Sequence, residues 1–374
     1  MTSPFDSYRP PEPPRRKRRR DRLVDGVKDV ARRGGGMRRR GADSGAREMP
    51  MVPDAEFSSY YGRQVVKAPP WEWPIGVYLV LGGIAGGSAI IASGAQLSDN
   101  KILARNSRLA AIGAAGLGSL ALVKDLGRPA RFLNMMRVFK LSSPMSVGSW
   151  ILASFGTVGG ASAAAEVYRI LEDNMGLDLP FPDPIERLIH WAKRPATLFS
   201  GLFGAPLAVY TAVLLGDTAN PTWNGAKDHL PFVFVSSASL ASGGLAMITT
   251  DLEHVKPARV MAVAGVVGDV VAMKLMENSM DPTAAEPLHQ GGPGKLLKAS
   301  EALVIAGGIG AVLGRKSRVL SALSGAALIA GSACTRFGIL NAGIEAAKDP
   351  RYTVEPQKRR LAAREGRDNV TTAG

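Results

Sequence analysis

From residue 74 onward the chain alternates long apolar stretches with short charged ones. Eight apolar segments stand out, at residues 74–97, 106–124, 146–166, 196–216, 230–250, 258–278, 299–314 and 319–340. A run of about 18 or more mostly apolar residues can cross the roughly 30 Å hydrocarbon core of a bilayer as a helix. The pattern therefore predicts an all-α, polytopic membrane protein of about eight transmembrane helices. The seventh segment is the shortest, cut off by Arg315 and Lys316. An even count puts both termini on one side, termed the near side, with the far side opposite. Lys and Arg occur in loops on both sides, so the charge rule for topology leaves the orientation open.

The ends of the chain break this pattern. Residues 1–69 are rich in Pro, Arg and Gly, with basic runs at 15–20 and 38–40. Residues 1–70 hold 17 Lys/Arg against 9 Asp/Glu, within a chain of 374 residues and net charge +14. Such a segment buries too little apolar surface to offset its ordering entropy, so a disordered basic tail is expected. Its basic runs suit anionic lipid headgroups or a solvated, topology-enforcing tail, and no specific nucleic acid is expected. No signal-peptide apolar core precedes residue 74, which leaves the first span as the insertion signal. The expected division is a tail at 1–69, an eight-helix membrane domain at 70–345 and a polar C-terminal tail at 346–374.

Cysteine and histidine usage narrows the chemistry. Cys334 is the sole cysteine, which excludes an internal disulfide, a Cys-ligated zinc or an iron–sulfur cluster in this chain. His190, His229, His254 and His289 all lie outside the middles of the apolar segments, which argues against haem. No metal is expected. If the protein handles electrons, a diffusible carrier or a partner must hold them.

Two stretches go beyond a generic membrane protein. One is WEWPIGVYLVLGGIAGGS at residues 71–88; the other is KDLGRPARFLNMMRVFK at 124–140, continued by SPMSVGSW at 143–150. Together they resemble the NrfD/PsrC family, the membrane subunits of polysulfide reductase and related complexes. The ending, AG at 342–343 and KDPRYTVEPQ at 348–357, is similar to members of that family as well. The resemblance covers residues 70–357. It implies eight helices in two four-helix bundles, placed in the cell membrane. It implies a pocket for a quinone, menaquinone foremost, and no metal in this chain. The implied partners are a 4Fe-4S ferredoxin-like iron–sulfur subunit and a catalytic, often molybdopterin, subunit.

A quinone needs hydrogen-bond partners for two carbonyl oxygens in an otherwise apolar pocket. Tyr78 sits about one turn inside the first span and Tyr210 about two turns inside the fourth, at similar depths by helical rise. Asp125 and Arg128 are held at the near-side boundary, where Gly127 can end the second helix in a left-handed conformation and Pro129 stops it. These four are the candidate quinone contacts. The family places a quinone contact where Tyr78 stands, and one of its fourth-span tyrosines resembles Tyr210. For each tyrosine the plain alternative is an interfacial anchor, and for Asp125 and Arg128 a structural ion pair. Phe132, Met135, Met136 and Phe139 are spaced for one face of a short interfacial helix over residues 131–140, either covering the pocket or resting on lipid. Ser143 and Pro144 read as the N-cap and first residue of the third span. The pairs Gly82/Gly86 and Gly83/Gly87 read first as helix packing, and second as a closely packed pocket.

Asp269 lies mid-span, where an ionisable group is costly and should face the bundle interior. A proton relay from the far side is expected to run through Asp269, fed by Asp251 and His254 at the end of the fifth span and by Glu166 at the end of the third. The alternative is a neutral Asp269 bonded to a neighbouring helix. Lys274 and Glu277 are spaced to pair. The leading reading is thus a quinone-binding electron-transfer subunit. Against it stand an ion-coupled secondary transporter, which should show broken helices in matching halves, and a purely structural anchor.

Overall fold

The computed structural model describes residues 64–128, 130–175 and 183–365. The predicted disordered tail, as far as residue 63, lies outside the described residues. Among the described residues all regular structure is helical. The elements are α1 (Trp73–Leu97), α2 (Lys101–Asp125), α3 (Ala130–Asn134), α4 (Pro144–Met175), α5 (Asp183–Gly216) and α6 (Pro221–Gly225). There follow α7 (Leu230–Thr249), α8 (Lys256–Ser279), α9 (Pro282–His289), α10 (Gly291–Leu313), a 3-10 turn (Gly314–Lys316), α11 (Arg318–Lys348) and α12 (Arg351–Glu365).

Local chemistry sets several boundaries. The Asn100 side chain accepts from the Leu103 amide at the start of α2, and Ser317 does the same for Leu320 at the start of α11. The Ser143 hydroxyl accepts from the Ser146 amide just before α4, as the Ser–Pro pair predicts. Gly127 has φ +67°, the left-handed conformation that ends α2. Two expectations change. The seventh span begins at Gly291, not near residue 299, because the polar first turns of α10 are held by packing against α9 and α11. The interfacial helix is only five residues long, with turns after Asn134.

Among the described residues six helices are long and apolar enough to cross a membrane: Trp73–Leu97, Lys101–Asp125, Trp191–Gly216, Leu230–Thr249, Gly291–Lys316 and Arg318–Lys348. Their packing is that of helices in lipid. Large apolar side chains such as Leu117, Leu120, Leu202, Val213, Phe232 and Leu323 point outward, while serines and threonines are buried. Buried hydroxyls join neighbouring helices, Ser162 to Thr197 at 2.7 Å, Ser237 to Ser332 at 2.7 Å and Ser300 to Thr335 at 2.6 Å. Since lipid drives helices together weakly, close backbone approach and such bonds do that work. At Gly86 an added Cβ would meet the Gly204 carbonyl, and at Gly87 the Ser242 side chain. These two glycines let α1 lie against α5 and α7.

In the N-terminal half α1 packs along α2 and α5, α4 along α5, and α2 touches α4. In the C-terminal half α7 packs along α8 and α11, α10 along α11, and α8 touches α10. The contact of α1 with α7 joins the halves. Past residue 346 the chain ends α11 at Lys348 and continues as α12 to Glu365, and α12 is tied to α9 by Arg351–Glu286 and to the residue that caps α9 by Arg359–Asp281 at 3.0 Å.

Candidate functional site

At the near-side end of the N-terminal half, a cavity of about 310 Å³ lies between α1, α2, α4 and α5. Ile75, Leu122, Leu152 and Leu214 give it apolar walls, and Phe132, Met135 and Met136, from α3 and the turn after it, close it from the near side. Of the four residues spaced for one face, Phe139 alone turns away, meeting the Trp150 ring edge-on at 6.0 Å. Its neighbours Val138 and Leu141 are exposed too, leaving an apolar patch beside the cavity.

Tyr78 from α1 and Tyr210 from α5 both line this cavity, and their hydroxyls are hydrogen-bonded to each other. Local packing brings them there. Gly118 of α2 lies 3.3 Å from the Tyr78 ring by its would-be Cβ, and a Cβ at Gly148 of α4 would strike the Tyr210 ring. Each hydroxyl has one proton, so the mutual bond uses one and leaves one for a third group. Thr211 lines the same cavity, and its buried Oγ1 has no hydrogen-bond partner among the described residues. In a helix such a hydroxyl commonly bonds back to a carbonyl one turn earlier; here it is buried and, among the described residues, unpartnered in a residue of the cavity wall. Trp71 also borders the cavity, stacked at 5.4 Å on Trp223, whose indole donates to the Ile339 carbonyl at 2.8 Å.

The other two candidate contacts sit apart. Asp125 ends α2 and Arg128 is exposed beyond it; neither lines the cavity, and they do not pair with each other. A fourfold cluster at one level was expected because helical rise gives depth. Depth says nothing of direction: Arg128 is exposed past the turn at Gly127, and Asp125, part-buried at the end of α2, does not face the cavity.

The groups expected to relay protons lie in three separate places. Asp251 and His254 bond to each other at 2.6 Å on the far-side loop. That bond holds the Asp251 carboxyl below its ordinary range. Glu166 is buried and ion-paired to Lys193 at 2.7 Å and to Arg108 at 3.3 Å, beside a polar pocket at the far end of α2, α4 and α5. Asp269 is 5% exposed, and its Oδ1 has no hydrogen-bond partner among the described residues. It borders a crevice of about 190 Å³ with Lys274, Glu277, His289 and Lys298. These lie towards the near-side ends of α8, α9 and α10, so the crevice opens opposite to the expected feed from Asp251, His254 and Glu166. Lys274 and Glu277 both face this crevice rather than pairing.

Sequence reasoning missed Arg336. It is 0% exposed and donates to the Leu79 carbonyl at 2.6 Å, the Phe234 carbonyl at 2.8 Å and the Ser237 hydroxyl at 3.3 Å. It therefore ties α11 to α1 and α7, one residue from Tyr78. Gly83 makes room for it, since a Cβ there would lie 2.8 Å from its Cζ. The signal was present: an arginine inside the last apolar segment is as costly as Asp269 and as informative.

A family model described as "Polysulphide reductase, NrfD" matches residues 63–267. The protein is 27% identical over 186 residues to the C subunit of the polysulfide reductase of Wolinella succinogenes, a match covering 47% of this protein and 57% of that subunit. The match thus spans little more than half the length of that relative.

Proposed function

The chain belongs to the NrfD polysulphide reductase family and is a multi-pass membrane protein, and from that premise we propose that it is the quinone-binding membrane subunit of a multi-subunit oxidoreductase. In this reading it passes electrons between the membrane quinone pool and an iron–sulfur partner that serves a catalytic subunit. One observation carries the reading: two tyrosines from different helices meet at the wall of an apolar cavity at one end of the bundle.

The residues present fit a quinone. The walls are apolar, Tyr78 and Tyr210 offer one spare hydroxyl proton between them, and Thr211 offers a second polar atom that the fold leaves unused. When bound, a quinone supplies a carrier of two electrons and two protons. One of the two, Tyr78 or Tyr210, would donate the spare hydroxyl proton to one carbonyl oxygen, while the other holds that hydroxyl in place. Thr211 orients the ring, and Phe132, Met135 and Met136 exclude water. The exposed row Val138, Phe139 and Leu141 beside the cavity suits a docked partner subunit, since such a patch is unfavourable in water.

The same reading takes the membrane domain as eight spans in two four-helix bundles, α1, α2, α4 and α5 in one and α7, α8, α10 and α11 in the other. The contacts between helices support it. So does the outer face of α8, where Val260, Val267, Val271 and Leu275 are exposed in helical register although the helix carries Arg259, Asp269 and Lys274. Proton movement belongs to the proposal through Asp269, reached by the near-side crevice. With Asp269→Asn, proton uptake during quinone turnover is expected to fall, and unchanged uptake removes Asp269 from the path. The transporter alternative gains no support, because the helices of both halves run unbroken and α5, which contains Pro195 and Pro206, stays continuous.

Isolation of the native complex, with identification of its subunits and extraction of bound quinone, tests the proposal. An iron–sulfur subunit and a bound quinone are expected, with less quinone retained in Tyr78→Phe/Tyr210→Phe. A complex holding neither ends the redox assignment.

A further inference from the structure

At the far end of the C-terminal half, a groove of about 560 Å³ opens on the outer surface between α8 and the end of α10. Lys256, Arg259 and Arg315 line its mouth, and Val260, Val267 and Val312 line its course along the helices. Among the described residues no acidic one lines it. Arg259 is 6% exposed; its Nη2 donates to the Ser321 hydroxyl at 3.1 Å, while its buried Nε has no partner among the described residues. Arg315 is near enough to repel it. The same spot is the N-terminus of α8, where Val255 offers no side-chain cap and the first turn holds no acid.

Three cations, one of them buried with a donor unused, converge on a groove with no acid in its lining among the described residues. Burying a charge without a counter-ion is costly. Below them the groove is wholly apolar, with Val260 69% and Val267 60% exposed, which suits hydrocarbon. We propose that this groove binds an anionic phospholipid, its phosphodiester held by Lys256, Arg259 and Arg315 and an acyl chain lying over Val260, Val267 and Val312. Basic pockets between membrane helices are the recurrent setting for such headgroups. The quinone cavity plays no part in this site, since it lies at the opposite end of the other half.

Native mass spectrometry of the full-length chain, titrated with phosphatidylglycerol, phosphatidylcholine or inorganic phosphate, tests the assignment. Phosphatidylglycerol should bind more tightly than phosphatidylcholine. Lys256→Gln with Arg315→Gln, both exposed positions, should weaken it roughly thirtyfold. Val260→Trp with Val267→Trp fills the groove and should weaken phosphatidylglycerol while leaving inorganic phosphate untouched. Equal affinity for the two lipids overturns the proposal. So does phosphatidylglycerol binding that inorganic phosphate fully displaces and the tryptophans do not affect, which would mark a site for free anions. Arg259→Gln is a further probe; the exposed double variant keeps the test decisive if the buried substitution unfolds the chain.

Discussion

The pairing of Tyr78 with Tyr210 allows the site to be tested by a double-mutant cycle. Either single change to Phe removes one hydroxyl and leaves the other without its protein partner. A hydrogen bond contributes about 0.5–1.5 kcal/mol net, and an orphaned buried hydroxyl costs about 1–3 kcal/mol. Each single variant should therefore lose about 1–2 kcal/mol of stability in a mixed-micelle unfolding titration. The double variant removes donor and acceptor together and should lose less than the sum, with a coupling of about 1 kcal/mol. Binding follows a different rule. Only one proton of the pair is free for a ligand, so the double variant should lose one hydrogen bond to the quinone, roughly 2- to 13-fold in affinity. The singles should be unequal, and the larger loss identifies the hydroxyl that faces the carbonyl. Quenching of tryptophan fluorescence reads the binding, because Trp71 borders the cavity; Trp71→Phe is the control. A folded double variant with unchanged quinone affinity refutes the reasoning.

Thr211→Val removes a hydroxyl that has no partner among the described residues, so stability should be unchanged or rise by up to about 1 kcal/mol, while quinone affinity falls about 2- to 10-fold; the same unfolding and quenching titrations separate the two effects. Arg336→Ala should cost about 3–5 kcal/mol, because three donated bonds are lost and two buried carbonyls and a buried hydroxyl lose their donor; a cost under about 1 kcal/mol would show that Arg336 does not hold α1, α7 and α11 together. His254→Ala should return the Asp251 carboxyl to its ordinary range, read by carbon-13 NMR. The sign is that of a lowered acid: the stabilising contact is complete above about pH 4 and fades only as pH falls through the lowered native value.

Much of this molecule is written along the chain. Apolar run length marks the helices, Ser143 and Pro144 mark the start of α4, and Gly127 marks the stop of α2, because each depends on a few neighbouring residues. The period of buried positions in α2, Ala104, Arg108, Ala111, Ala115 and Gly118, is likewise local. Depth could be counted too, which is why Tyr78 and Tyr210 could be matched although they lie 132 residues apart. Which way a side chain points at that depth could not be counted. Helix rotation is set by close contacts such as Gly86 on Gly204 and Gly83 on Arg336. Those contacts turn Tyr78 and Tyr210 to the same cavity, leave Asp125 and Arg128 outside it, and open the Asp269 crevice towards the near side. Hydropathy is a sum over consecutive residues, whereas a pocket is a relation between helices distant in sequence, and only packing supplies it.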